Sequence, residues 1–189
     1  MNSTEGGQVR RQGTYKWYAV YTRSRAEKKA QNELEQKGIE CYLPLKTVRR
    51  RWGKQSRVID VPLITCYLFV RVSYREYYDV LIAQGVMRYV CFDGAPAEIP
   101  DRQIENLKRF LKEESERVEV TSERIAKGDL IRVVEGPLQG VEAEVAEVRG
   151  KRRLLLRFKT LGCSIHIDLG ANRVEILKKP EKKPGVLSW

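Results

Sequence analysis

The residues of this chain best able to do covalent or metal chemistry are four cysteines and one histidine. Cys41, Cys66, Cys91 and Cys163 form no CxxC pair, and no spacing among them suggests a zinc site. Three of them sit in apolar, strand-like runs, where a free thiol behaves as a small buried hydrophobe. This usage predicts reduced, structural cysteines in a cytoplasmic protein. His166 stands between Ile165 and Ile167 and reads as a strand residue rather than a proton-transfer base. Acidic residues lie among basic ones without a paired-carboxylate pattern, and there is no Walker-type phosphate loop. The sequence therefore predicts a non-catalytic protein, with no metal and no cofactor.

What the chain does concentrate is positive charge. Its formal net charge is +11, of which residues 14–112 hold +8. Arg23, Arg25, Lys28, Lys29 and Lys37 cluster around one segment, and Arg49-Arg50-Arg51-Trp52-Gly53-Lys54 form a second basic cluster with an aromatic in it. Charge of one sign on one domain is the footprint of a polyanion-binding protein. The alternative is a solubilising surface.

The elements that must carry these residues follow from periodicity. Trp17-Tyr18-Ala19-Val20-Tyr21 is aromatic and branched, a strand. Ser24 to Glu27 has the spacing of a capping box, and Ala26, Ala30 and Leu34 recur on one helical face up to Gly38. Ile39 to Leu45 is extended, and 45–61 reads as a hairpin whose tip is the Arg49–Lys54 cluster. Tyr67 to Val72 is an apolar strand. Ser73 to Glu76 is a second capping box opening a short helix with Tyr77, Val80 and Leu81, closed near Gly85. Val86 to Phe92 is a strand, and Asp101 caps a third helix lined by Ile104, Leu107 and Leu111. This order predicts an α+β domain, a mostly antiparallel sheet packed with helices.

Residues 1–13 read as a flexible N-terminus and 14–112 as the α+β domain. Residues 113–122 read as an acidic linker, 123–177 as a small β-barrel domain, and 178–189 as a basic disordered tail. In the barrel, Ile131 and Val133 alternate with Arg132 and Val134, then Gly136-Pro137 punctuates and Gly140 precedes a second strand. Five short strands with glycine turns predict a small barrel. No apolar run approaches a membrane-spanning length, and the N-terminus has no apolar leader, so neither membrane spanning nor secretion is expected.

The run Lys127 to Gly140, with Gly128, Asp129, Val133, Gly136, Pro137 and Gly140, resembles a KOW motif, the strand-turn-strand unit of SH3-like barrels. Trp17 to Thr22 with the helix after it resembles the opening of the N-terminal (NGN) domain of the NusG family of transcription elongation factors. Val61 to Val70 resembles that domain's central strand, and Gly85 to Phe92 its "G-V-x-x-F-V" strand. The resemblance spans residues 16–177. Within the family, Tyr67-Leu68-Phe69-Val70 and Pro96-Ala97-Glu98-Ile99-Pro100 resemble the RfaH and UpxY-like antiterminators, which act on long operons such as those for surface polysaccharide. One departure stands out: Ile64-Thr65-Cys66-Tyr67 replaces the family's Phe-Pro-Gly-Tyr or Phe-Pro-Asn-Tyr.

The resemblance implies a factor that binds RNA polymerase at the clamp helices of its largest subunit and suppresses pausing and termination. Tyr67 and Phe69 match the family's pocket for that contact, with Ile64, Val90 and Phe92 as its walls. An exposed aromatic pocket is the physical requirement. By the same resemblance, Arg23, Arg25, Lys28, Lys29 and Lys37 face the non-template DNA strand; the alternative is a solvated helix face with i,i+4 pairs. Arg49, Arg50, Arg51, Trp52 and Lys54 suit upstream duplex DNA or nascent RNA; the alternative is a solubilising loop. The KOW domain is expected to recruit Rho or a ribosomal protein through the Glu135–Gly140 loop and the strand Arg152–Phe158. Two rival roles remain: a housekeeping NusG that couples polymerase to Rho or the ribosome, and a ribosomal-type KOW RNA-binding protein.

Overall fold

A computed structural model describes residues 14–53, 55–114, 118–121, 128–136, 138–148, 151–168 and 173–179. Residues 1–13, Lys54, 115–117 and 122–127 of the expected linker and barrel start, Pro137, 149–150, 169–172 and the tail from 180 lie outside the described residues. The first sheet contains β1 (Lys16–Thr22), β2 (Glu40–Tyr42), β5 (Tyr67–Val72) and β6 (Val86–Tyr89), in the order β2-β5-β1-β6. Between β2 and β5 the chain makes a separate two-stranded ribbon, β3 (Leu45–Trp52) and β4 (Gln55–Pro62). Cys91–Phe92 (β7) and Ala95–Pro96 (β8) pair as a small hairpin, and Glu98–Ile99 (β9) adds to β1. The helices are α1 (Glu27–Gln36), α2 (Tyr77–Leu81) and α3 (Asp101–Glu114).

Alternation sorts the sheet into two buried faces. In the antiparallel register Val20 lies opposite Leu68 and Ala19 opposite Phe69. Val20, Leu68, Val70 and Val72 pack with Ala30 and Leu34 of α1 and Val80 of α2. Trp17, Ala19 and Phe69 face the other way, toward Ile104, Leu107 and Phe110 of α3. A sheet buried on both sides explains why Tyr67–Val72 reads as an almost continuous apolar run.

The second unit is a six-stranded antiparallel sheet made of β10 (Glu119–Thr121), β11 (Asp129–Glu135), β12 (Glu142–Val148), β13 (Lys151–Phe158), β14 (Cys163–Asp168) and β15 (Arg173–Lys178). Its order is β10-β14-β13-β12-β11-β15. The α+β plus β-domain architecture expected from sequence is thus present. Two local expectations are corrected. Helix α3 continues to Glu114 and Glu119–Thr121 is strand β10, paired with β14, so part of the stretch read as linker is regular structure. Val120 packs against the core and Thr121 is buried, which short polar stretches do not advertise.

The second correction concerns α1. Ser24 makes no capping hydrogen bond, and Ala26 occupies the N-cap. The Glu27 carboxylate is instead spent on the backbone N–H of Cys66, 2.8 Å away. The second capping box does form: Ser73 N–H donates to Glu76 Oε2 at 3.0 Å. The four thiols are free. Burial pushes the Cys41 thiol up to about 12 and the Cys163 thiol up to about 11.

Within the KOW-like run, two glycines answer to space. A Cβ on Gly128 would lie 1.8 Å from the Val145 carbonyl oxygen, because β11 starts hard against β12. Gly140 has φ +82°, and its N–H donates to the Val133 carbonyl at 2.8 Å, closing the turn. Val133 is 1% exposed and belongs to the core. Gly128→Ala is therefore expected to cost more than about 3 kcal/mol, beyond ordinary overpacking. Chemical denaturation checks this; wild-type stability in the variant would show that the close approach of β11 to β12 is not required.

Candidate functional site

The site is built outward from the turn before β5. Cys66 takes φ +65°, a left-handed conformation that L residues adopt at a cost of roughly 1–2 kcal/mol. Two contacts hold it there: the Glu27 carboxylate accepts its N–H, and its carbonyl accepts from Thr22 N–H at 2.8 Å. Glu27 is 4% exposed and Thr22 fully buried, so this support is internal. The residue that replaces the family's Gly or Asn thus still makes the turn, and it launches Tyr67 and Phe69 onto the face away from α1.

On that face Phe69 stacks with Tyr42 at 6.4 Å and tilts against Phe158 of β13 at 5.7 Å. Tyr67 sits edge-on to Tyr21 at 5.4 Å. The same apolar cluster takes in Ile64, with Tyr67, Val90 and Tyr42 packed on it. It continues without a break into Val118, Ile131, Leu154, Leu156 and Ile165 of the β domain. Phe69 is fully buried and Ile64 only 8% exposed. An open pocket walled by these residues is therefore not what the structure presents, because the β domain covers it. Phe92 stands apart, 67% exposed on the β7–β8 hairpin and outside this cluster.

Helix α3 fastens the cover. Asn106 Nδ2 donates to the Glu142 carbonyl at 2.6 Å, Arg109 Nη1 to the Gln139 carbonyl at 3.1 Å, and Gln103 Nε2 to the Arg157 carbonyl. Arg102 pairs with Glu142 at 2.5 Å. A Cβ on Gly140 would lie 2.9 Å from Arg109 Nη1, so that glycine serves the seam as well as its own turn. Lys108 lies over the Trp17 and Tyr42 rings at 5.2 and 5.1 Å. These α3 residues were missed from sequence. The available signal was Phe110, which with Ile104, Leu107 and Leu111 makes an apolar face wide enough for two partners.

The basic residues fall into two groups: Arg23, Arg25, Lys28 and Lys29 near the start of α1 with Lys37 at its far end, and the arginines of the ribbon. Arg23 and Arg25 are exposed in the β1–α1 turn, with Arg25 at φ +62°. Lys28 Nζ donates to the Asp60 carbonyl at 3.2 Å, which ties α1 to the ribbon. Lys29 is exposed, and Lys37 pairs with Glu33 at 3.0 Å. That bond and the Gln84 N–H hold the Glu33 carboxyl below its usual range. On the ribbon, Arg49, Arg50 and Arg51 are exposed and Trp52 is 57% exposed. Arg50 lies directly opposite Arg57, a like-charge cross-strand pair. Of the β-domain surfaces expected to recruit a partner, Glu135, Gly136, Gln139 and Gly140 of the loop are exposed, whereas most of the strand is not. Arg153 to Leu156 and Phe158 are buried, and the Gln139 carbonyl is taken by Arg109. His166 is 2% exposed, its Nδ1 2.9 Å from Arg153 Nη1; a guanidinium only donates, so Nδ1 accepts.

The structure thus sets a cationic α+β domain against a small β domain. Residues 15–108 match the protein-family model "Transcription termination factor nusG". The proteins described as "Transcription termination/antitermination protein NusG" from Rickettsia conorii and Rickettsia typhi are 23% and 24% identical over 172 residues, covering 84% of this chain and 88% of theirs. A solved structure described as "Domain interaction in Thermotoga maritima NusG" is 21% identical, with a TM-score of 0.42, covering 89% of this chain and 98% of that one. Another, described as "Crystal Structure of MjSpt4:Spt5 complex conformation A", is 18% identical with a TM-score of 0.28, covering 87% and 99%. The chain belongs to the NusG family, and its role is that of a transcription elongation or termination factor.

The seam has a pH dependence. The Glu142 carboxyl is held below its ordinary value, first by the hydrogen bond from Arg132 and then by Arg102. Its contribution is complete above the unfolded value of about 4.3 and is lost as pH falls through the lower native value. Because Arg102 is 60% exposed, the pair contributes about 1 kcal/mol or less. In thermal unfolding across an acid titration, Glu142→Gln should cost that much at neutral pH and flatten the fall in stability below about pH 4. Equal acid sensitivity in the two proteins would remove Glu142 from the account.

Proposed function

We propose that the protein is a cytoplasmic antitermination factor of the specialised, RfaH- or UpxY-like kind. It binds the clamp helices of RNA polymerase's largest subunit and suppresses pausing and termination on particular long operons, such as those for surface polysaccharide. The observation that supports this reading is the apolar face formed by Ile64, Tyr67, Phe69 and Val90 beside Tyr42. It is aromatic, it lies on a rigid sheet and its central ring is wholly dehydrated, the make-up of an interface anchor. In the closed form it is satisfied by Phe158 and its neighbours. Polymerase and β domain therefore compete for one surface, and binding requires the β domain to swing off α3.

The freed β domain is then available to Rho or a ribosomal protein. Leu130, Val134, Ile176 and Leu177 on β11 and β15 are already exposed and support such a contact. The cationic end of the sheet, with Arg23, Arg25, Lys28 and Lys29 beside the Arg49–Trp52 ribbon, supports contact with the non-template strand, upstream DNA or nascent RNA. The opposed Arg50 and Arg57 repel one another in the free protein, and phosphates between them would relieve that repulsion.

Competition gives opposite signs to two variants. Tyr67→Ala should weaken polymerase binding by about tenfold, the loss of one aromatic anchor. Gln103→Ala with Asn106→Ala releases two hydrogen bonds across the seam and should strengthen it. Weakening by both would mean that the β domain is part of the polymerase contact rather than its competitor, and no change with Tyr67→Ala would remove the pocket assignment. On the ribbon, Arg57→Glu converts a repulsive pair into an attractive one. It should stabilise the ribbon by about 0.2–1 kcal/mol while lowering nucleic-acid affinity. Unchanged affinity across a salt series would make the ribbon a solubilising loop.

A further inference from the structure

The end of the first sheet farthest from Arg23 and the ribbon carries a cleft that the reading above does not use. It lies where β1 begins, β5 ends and α2 starts, and its volume is about 620 Å³. Its walls are aromatic: Tyr18, Tyr74, Tyr77 and Tyr78, with Lys16 and Arg75 on the rim. That volume falls within the range of ordinary ligand sites.

The tyrosines form a graded series from core to solvent. Tyr89 is 2% exposed and meets Tyr18 edge-on at 5.9 Å. Tyr77 stacks on Tyr89 with ring centroids 4.3 Å apart and planes 7° apart, and Tyr78 stands edge-on to Tyr77 at 5.5 Å. The outermost rings are the most exposed: Tyr74 is 88% and Tyr78 68% exposed. The Ser73–Glu76 box holds the turn that presents them, and Tyr15 OH donates to Glu76 at 2.9 Å. Exposed rings on a braced turn and on the helix that follows it offer faces to stack a flat partner.

Charge selects among flat partners. Lys16 is engaged by Glu98 at 2.5 Å, but Arg75 makes no ion pair among the described residues. Glu76 accepts from Ser73 and Tyr15, so its oxygens are engaged by neutral donors while its charge remains beside Arg75. What the cleft offers is stacking faces, phenolic hydroxyls and one uncommitted guanidinium, on a chain of net charge +11. A nucleobase with its phosphate uses all three, whereas a proline-rich peptide uses only the first two.

We propose that this cleft is a second nucleic-acid site, which takes a short single-stranded nucleotide segment by stacking bases on Tyr74 and Tyr78 with a phosphate on Arg75. It is separate from the cationic end of the sheet and has different physics. Stacking tolerates salt, so binding here persists at ionic strengths that release phosphate-only contacts.

The test uses the full chain and fluorescein-labelled hexamers of oligo(U) and oligo(dT), followed by anisotropy at low and high salt. Tyr74→Ala with Tyr78→Ala should weaken hexamer binding by about tenfold or more, the loss of two stacked bases, and the deficit should persist at high salt. Arg75→Gln should weaken it less and mainly at low salt. Arg57→Glu should leave the high-salt component intact. As a readout independent of variants, 5-iodouridine hexamers should photo-crosslink the wild-type protein at Tyr74 or Tyr78. Oligo(U) and oligo(dT) binding alike places recognition in base and phosphate, and preference for one adds the sugar 2′-hydroxyl or the base methyl. Crosslinks confined to the ribbon or α1, or high-salt affinity unchanged in the double tyrosine variant, would overturn the proposal. So would protection of the two tyrosines by a proline-rich peptide but not by either hexamer.

Discussion

Phe69 leaves water on the side of β5 that faces away from α1 and α2, its ring between Tyr42 and Phe158. Leu68, the next residue, is equally buried on the opposite side. A strand that buries both alternations needs a layer on each face, and this chain supplies α1 and α2 for one and α3 with the β domain for the other. Full burial of one such side chain contributes about 1.5–3 kcal/mol, enough to bias a domain arrangement without locking it. The polar bonds from α3 add specificity of position more than energy, since each nets about 1 kcal/mol.

A seam of that strength suits a protein whose working surface must be hidden at one time and offered at another. An aromatic face left open would be an exposed apolar patch on a cationic chain, prone to unspecific association. Covering it with the chain's own β domain solves that problem. The cations need no such cover, because hydrated Arg and Lys side chains are stable in water. They accordingly stand exposed on α1 and the ribbon, where the contacts of Lys28, Lys37 and Arg51 are at the surface.

The turn at Cys66 links the two layers. A buried carboxylate on α1 accepts the N–H of a left-handed residue immediately before β5. The helix that carries the basic surface thereby also sets the start of the strand that carries the apolar face. A departure from the family's usual turn residues is accommodated by a hydrogen bond to a carboxylate 39 positions earlier, and not by local sequence.

Strand alternation, helical spacing and glycine turns were sufficient to place β1, α1, the ribbon, β5, α2, α3 and most of the β domain. These signals are local: each reports one face of one element. The KOW-like run was legible for the same reason, since Gly128 and Gly140 answer to contacts across a hairpin. Charge density likewise needs no fold to be counted. What the sequence could not state was which faces meet. Phe69, Phe110 and Phe158 each announce a buried face, but their grouping into one cluster depends on contacts between residues some forty to ninety positions apart. The use of Glu27 at Cys66 instead of at Ser24, the strand formed by Glu119–Thr121 and the open row of Tyr74 and Tyr78 are of the same kind. A side chain's partner is chosen by the packing of whole layers, and that choice exists only once the chain has folded.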